Sequence, residues 1–181
     1  ESRGCGAVNT VLCKEHAWEG FNTDIDGVSK SLQEFLNTRS LRFKRIAIIG
    51  TGGAAHAAAH AVYLLHGKAC IFGRTAEKAE QLARKYRFKW AVLDLASMPI
   101  LKKYSDVMIQ TTSIGMQEGE DPLEFYSFSG TEHVFDVIYN PEKTALLRRA
   151  ENAGCKISNG YAMLQYQAQK QFELFTGGVY E

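Results

Sequence analysis

The chain has 181 residues, 45% of them hydrophobic and 23% charged, with a net charge of +1. That length fits one full domain, or one domain with an extension, and is long enough for a real core. The near-zero charge leaves no basic field for nucleic acid, the apolar segments are too short or too interrupted to span a bilayer, and the N-terminus lacks the form of a signal peptide, so a cytoplasmic protein is expected.

In chain order, residues 1–22 carry short apolar runs at Val8, Val11 and Leu12 broken by Asn9, Lys14 and Gly20, which predict an irregular strand or hairpin outside the main core. The opening ESRGCGAVNT has no Met and suggests a fragment of a longer chain. Next, Ile25, Val28, Leu32, Phe35 and Leu36 recur at spacings of three and four. They predict a helix capped by Thr23 or Asp24, with Asp24 and Asp26 in an acidic first turn.

The stretch Arg45 to Arg74 organises everything else. An apolar run, Ile46 to Ile49, meets the turn Gly50, Gly52, Gly53; a helical pattern over 53–65 follows, then a second apolar run, Ala69 to Phe72. That order is strand, tight turn, helix, strand. A parallel β-α-β unit that binds a dinucleotide needs glycine where the turn bends, glycine where backbone lies against the ligand, and a small residue where helix meets sheet. Gly50, Gly52 and Ala54 or Ala55 fill those roles, and free N–H groups at the helix start would face a pyrophosphate. A glycine turn with no nucleotide is the alternative.

The end of the second strand, Gly73-Arg74-Thr75, offers no carboxylate for an adenosine ribose, as an NAD site would. Arg74 is placed to pair with a 2'-phosphate, favouring NADP, and Thr75 adds a hydroxyl or caps the following helix. A plain surface arginine is the bland reading. His56, His60 and His66 lack the acidic companion that an HExxH site requires, so no metal is expected. Cys5, Cys13, Cys70 and Cys155 form no CxxC pair and read as reduced, mostly buried side chains.

Further along, an amphipathic helix over 75–86 precedes a third strand over 90–93 and a short connection containing Pro99. A fourth strand over 107–109 ends in Gln110-Thr111-Thr112-Ser113-Ile114-Gly115-Met116. Hydroxyls and a glycine just past the carboxyl end of a parallel strand sit where doubly wound proteins place ligands, so backbone there could hold a nicotinamide ribose with Met116 packed beside the ring; a satisfied polar turn is the alternative. After a loop with Pro122 and the aromatics Phe125, Tyr126 and Phe128, a fifth strand over 134–138 leads to Tyr139-Asn140-Pro141, with Pro141 expected to open a helix over 142–153 that Gly154 stops. A short sixth strand over 155–157 and a glutamine-rich helix over 161–175 finish the chain, with Gln167 toward the ligand edge. The fold class predicted is α/β, a doubly wound, mostly parallel Rossmann-type sheet over 23–181.

GAVNTV at 6–11, GFNTD at 20–24, the glycine turn, GRT at 73–75, TTSIGM at 111–116, DVIYNP at 136–141 and the ending from Met163 resemble the shikimate dehydrogenase family over nearly the whole chain. The resemblance implies an NADP-dependent oxidoreductase of the shikimate pathway, reducing 3-dehydroshikimate to shikimate, with a quinate or related cyclic hydroxy acid dehydrogenase and an inactive nucleotide-binding module as alternatives. It also implies residue roles. Asp24 is one half of the family's catalytic Lys and Asp pair; Asn9, Tyr139 and Gln167 contact substrate. Gly50, Gly52, Gly53 and Ala54 hold pyrophosphate, Arg74 and Thr75 the 2'-phosphate, and Thr112 and Met116 neighbour the nicotinamide. The family's separate N-terminal substrate domain, which carries the catalytic lysine, has no counterpart here and is the expected partner; residues 1–22 would belong to the hinge and substrate side, and the fragment alone would turn over poorly. Gln110 stands where the family usually has Asn, and Asn159 where it has Asp.

Overall fold

The computed structural model describes residues 5–14 and 17–180. A two-stranded antiparallel hairpin, β1 (Thr10–Lys14) and β2 (Ala17–Phe21), is followed by helix α1 (Asp24–Phe35). Then come β3 (Arg45–Ile49), α2 (Gly53–Leu64), β4 (Lys68–Gly73), α3 (Ala76–Tyr86), β5 (Lys89–Val92), α4 (Met98–Lys103), β6 (Val107–Gln110), β7 (His133–Asp136), α5 (Ala145–Asn152), β8 (Lys156–Ser158) and α6 (Tyr161–Thr176). The six later strands form one parallel sheet in the order β5-β4-β3-β6-β7-β8. Strand order reverses between β3 and β6. A doubly wound sheet places its ligand crevice there, outside the carboxyl ends of the strands.

The apolar runs are continuous because both faces of each strand are buried. Ile46, Ile48, Ile71, Val107, Ile109 and Phe135 point to one face, where α1, α2, α3 and α6 supply Val28, Leu32, Ala58, Val62, Leu82 and Met163. Their neighbours Ala47, Ile49, Cys70, Phe72, Met108 and Val134 point to the other, under Leu101, Leu123, Leu146 and Leu147. One layer of helices thus closes each side. On the first side α1 and α6 touch so closely that a Cβ on Gly27 would lie 2.7 Å from the Met163 carbonyl oxygen. A glycine inside a helix costs roughly 1 kcal/mol against alanine, and here that cost permits the contact.

Two local expectations are corrected. Pro141 does not open the next helix: the Asn140–Pro141 bond is cis, α5 starts at Ala145, and Thr144 is its N-cap, accepting from the Leu147 N–H at 3.3 Å. Nor does the side chain of Thr23 or Asp24 cap α1. Thr23 occupies the N-cap position without a side-chain cap bond, and Asn22 Oδ1 accepts from the Asp24 N–H at 3.1 Å instead, because the Thr23 hydroxyl is engaged across the fold with Asn9 and Gln167. Thr75 likewise sits at the N-cap of α3 without a side-chain cap bond. Among the described residues no helix is long and apolar enough to cross a membrane.

Candidate functional site

The glycine turn between β3 and α2 has the geometry its sequence promises. Gly50 lies at φ +123, and a Cβ there would come 2.4 Å from the Thr111 hydroxyl oxygen, so no other residue fits. Gly52 and Gly53 are different: nothing lies within 4 Å of where their Cβ atoms would be. Their missing side chains leave open space above the turn. Gly52 is the N-cap of α2 and makes no side-chain cap bond, and the first intrahelical bond runs from His56 N–H to the Gly52 carbonyl, so the N–H groups of Gly53, Ala54 and Ala55 at the helix start have no intrahelical acceptor. An anion is the natural partner for such a terminus.

A crevice of about 260 Å³ opens beside that turn and is lined by Gly50, Phe72, Gly73, Arg74, Leu93, Thr112, Ser113 and Ile114 on the strand side and by Asp121, Pro122, Glu124 and Phe125 on the loop side. The structure therefore brings Gly50, Arg74 and Thr112 to one cleft at the strand-order reversal. Arg74 is exposed in that lining, whereas Gly52, Gly53, Ala54, Thr75 and Met116 are not part of it: Thr75 is exposed next along the chain, Ala54 is half-buried in the first turn of α2, and Met116 stands 59% exposed on the turn after β6.

The walls are held by residues that sequence reasoning gave no such role. Gln110, 1% exposed, donates from Nε2 to the carbonyls of Thr112 and Ile114 at 3.0 and 2.9 Å and accepts from the Thr112 N–H at 2.8 Å. It shapes the crevice loop from behind. On the other side Arg149 donates to Asp121 Oδ2 at 2.5 Å, to the Leu123 carbonyl at 3.1 Å and to the Tyr126 carbonyl, and its guanidinium lies over Phe128. Glu132 finishes that loop by accepting from Tyr126 Oη, Ser129 N–H and Oγ, and Thr131 N–H. Burial works against its charge, yet the N–H groups of Ser129 and Glu132 itself and the two hydroxyls hold its carboxyl down at about 2.

Asp136, at the end of β7, was also missed. Its fully buried carboxylate accepts from the Ile138 N–H at 3.0 Å and the Thr144 hydroxyl at 2.8 Å, fixing the loop that carries Tyr139. Burial pushes the carboxyl up to about 6, those two bonds pull it back, and the Asp121 charge adds to the rise. A lone acid inside an apolar run was the available signal. Tyr139 itself is 50% exposed.

A second cluster joins the hairpin, α1 and α6. Asn9 Oδ1 accepts from the Thr23 N–H at 2.9 Å, Asn9 Nδ2 donates to Thr23 Oγ1 at 3.1 Å, and Thr23 Oγ1 donates to Gln167 Oε1 at 3.2 Å. Asn9, Asp24 and Gln167, distant in sequence, thus share one polar patch, extended by Gln171 Nε2 donating to Thr10 Oγ1 at 3.0 Å. Burial raises the Asp24 carboxyl above the usual aspartate range, and a hydrogen bond from Asn9 partly offsets it. Asn159 precedes Gly160, the N-cap residue of α6; its side chain accepts from the Tyr161 N–H at 3.1 Å and donates to the Glu142 carbonyl at 2.9 Å.

Sheet order, glycine turn and crevice define the class: a doubly wound α/β domain of the Rossmann type. Comparison narrows it. The family model described as shikimate / quinate 5-dehydrogenase matches residues 32–117. A curated relative from Shouchella clausii, named shikimate dehydrogenase (NADP(+)), is 37% identical over 184 residues, covering 98% of this chain and 66% of its own length. The crystal structure of the shikimate dehydrogenase from Aquifex aeolicus superposes with a TM-score of 0.86 at 30% identity, covering 99% of this chain and 65% of that one. That of shikimate 5-dehydrogenase from Listeria monocytogenes, in complex with shikimate and NAD, gives 0.85 at 32% identity, covering 98% and 66%. The chain belongs to the shikimate dehydrogenase family and spans about 66% of the length of the curated relative it matches.

Proposed function

We propose that this chain is the cofactor-binding part of an NADP-dependent shikimate dehydrogenase, which interconverts 3-dehydroshikimate and shikimate. The observation that carries the reading is the crevice at the strand-order reversal, lined by Gly50 of the glycine turn, Arg74 just past β4 and Thr112 past β6, next to a helix start with free N–H groups and open space over Gly52 and Gly53. The residues fit a dinucleotide. Gly50, Gly52, Gly53 and Ala54 would hold the pyrophosphate, Arg74 and Thr75 the 2'-phosphate, and Thr112 and Met116 the nicotinamide half. The bound nicotinamide supplies or accepts the hydride.

Asn9, Tyr139 and Gln167 would contact the substrate. Asn9 and Gln167 are pre-positioned through Thr23, which limits the side-chain entropy lost on binding. Asp24 would pair with the lysine of the family's N-terminal substrate domain, its proposed partner, and the pair would move the proton at the substrate oxygen. A cation brought beside Asp24 opposes the effect of burial and favours its carboxylate form. Residues 23–181 form the dinucleotide domain in this account, residues 1–22 belong to the hinge and substrate side, and the protein works in the cytoplasm.

The test is an absorbance assay of NADP reduction by this chain joined to a family substrate domain. Turnover with shikimate that exceeds turnover with quinate, and that is lost in Asp24→Asn, is expected. Turnover preferring quinate would move the assignment to the sister activity. Unchanged turnover in Asp24→Asn would remove Asp24 from the chemistry.

A further inference from the structure

At the opposite end of the sheet, around the amino ends of β3, β4 and β5, lies a cleft of about 700 Å³, within the size range of small-ligand sites. Two tight helix-to-strand turns build it. Each passes through a non-glycine residue in the left-handed region, His66 at φ 62 and Arg87 at φ 57, and both residues line the cleft. Such a conformation is unfavourable for a side-chain-bearing residue and is ordinarily left to glycine or asparagine. Here it falls on two basic groups.

The charge of the lining is one-sided. Arg42, Lys68, Arg87 and Lys89 line the cleft with His66, and no Asp or Glu lines it. All four long cations are exposed, and among the described residues none of them forms an ion pair with a carboxylate. In a chain of net charge +1 this concentration is local and does not reflect an overall excess. Like charges gathered in a concave wall focus a positive potential and attract a multivalent anion.

The remaining wall is aromatic: Tyr63, Tyr86, Phe88 and Tyr104. Tyr63 and Tyr86 rings lie 5.5 Å apart, and Tyr86 and Phe88 5.7 Å apart, as one tilted stack. Tyr86 is almost wholly buried, which fixes the stack, while Tyr63 is half exposed and offers ring surface to solvent. A planar ring can lie against that surface while its charged groups reach the lysines and arginines.

We propose that this cleft is a second ligand site, remote from the dinucleotide crevice, that takes a small polyanion bearing a planar ring, of the nucleoside polyphosphate or aromatic polycarboxylate kind. The cations would supply charge-assisted bonds and the tyrosine wall would select for the ring. No residue of the cleft belongs to the crevice lining or to the polar patch around Thr23.

Calorimetric titration with ATP, inorganic triphosphate and benzene-1,3,5-tricarboxylate tests it, using the unaltered chain, the double variant Lys68→Gln/Lys89→Gln, and Arg74→Ala. Both substituted lysines are exposed strand-starting positions, and circular dichroism checks that the fold is kept. Binding of ATP or the tricarboxylate that weakens about tenfold or more in the double variant but not in Arg74→Ala is expected, and the tighter of the two ligands identifies the source of the anion. ATP, if it is that ligand, should exceed triphosphate by about fivefold or more. Binding lost in Arg74→Ala but kept in the double variant would place the ligand in the crevice and overturn the proposal. So would the absence of binding by either ring-bearing anion, or triphosphate binding as tightly as both.

Discussion

Replacing Asp136 by Asn should change how stability depends on pH more than it changes the fold. The Asp136 carboxyl accepts bonds from the Ile138 N–H and the Thr144 hydroxyl; in an Asn the oxygen still accepts from Ile138 and the NH2 can donate to Thr144 Oγ1, whose own proton then loses its acceptor, a cost that does not vary with pH. Burial has raised the carboxyl from 3.8 to about 6 in the folded chain. A raised pKa means that the folded state holds the proton more tightly than the unfolded state, so the contribution is fully present below the unfolded value and is lost as pH rises through the folded one. Between about pH 4 and pH 7 that linkage removes roughly 2 kcal/mol from the wild type and nothing from the amide. Urea unfolding of both proteins across this window reads it directly. The Asp136→Asn protein should gain on the wild type by that amount on going from the acid to the neutral end. Parallel curves would refute the argument and mean that the carboxylate is solvated or already compensated.

Glu132 should behave in the opposite sense. Its folded carboxyl is held at about 2, below the usual 4.5, so its contribution is present above the unfolded value and lost as pH falls toward 2. Glu132→Gln should cost about 2 kcal/mol near neutrality in urea unfolding, with the gap closing in acid; a gap independent of pH would assign the loss to packing. The glycine turn separates fold from ligand. Gly50→Ala places a Cβ 2.4 Å from Thr111 Oγ1 at a positive φ and should destabilise the chain by about 2 kcal/mol or more in thermal unfolding, whereas Gly52→Ala meets nothing, should cost less than about 1 kcal/mol through the N-cap preference alone, and should weaken dinucleotide binding in a fluorescence titration. Unimpaired binding by the Gly52 variant would remove that open space from the site.

The sheet was legible because its strands are buried on both faces, so Ile46 to Ile49, Ala69 to Phe72 and Val107 to Ile109 read as unbroken apolar runs with turns between them. The crevice was legible for a related reason: Gly50, Arg74 and Thr112 each sit just past a strand end, and a parallel sheet aligns those ends. What holds the crevice open was not. Gln110, Arg149 and Glu132 act through bonds to backbone groups of a loop with no periodic pattern of its own, and such partners become visible only when the chain is folded. The same applies to Thr23, whose local sequence suggests a helix cap while its hydroxyl serves Gln167, 144 residues away. Pro141 misled because proline suits a first helical turn, whereas Thr144 three residues later supplies the cap bond that starts α5.

The proposed role of Arg74 in selecting NADP is tested most directly by the affinity of NADPH and of NADH for the chain and for Arg74→Ala. The guanidinium stands exposed at the crevice rim, where a charge-assisted contact with a 2'-phosphate is worth roughly 2 kcal/mol. The account predicts that NADPH binds more tightly than NADH to the unaltered chain, and that Arg74→Ala lowers NADPH affinity about thirtyfold, by that same energy, while leaving NADH within about twofold. Equal losses for both dinucleotides, or no preference in the unaltered chain, would contradict it.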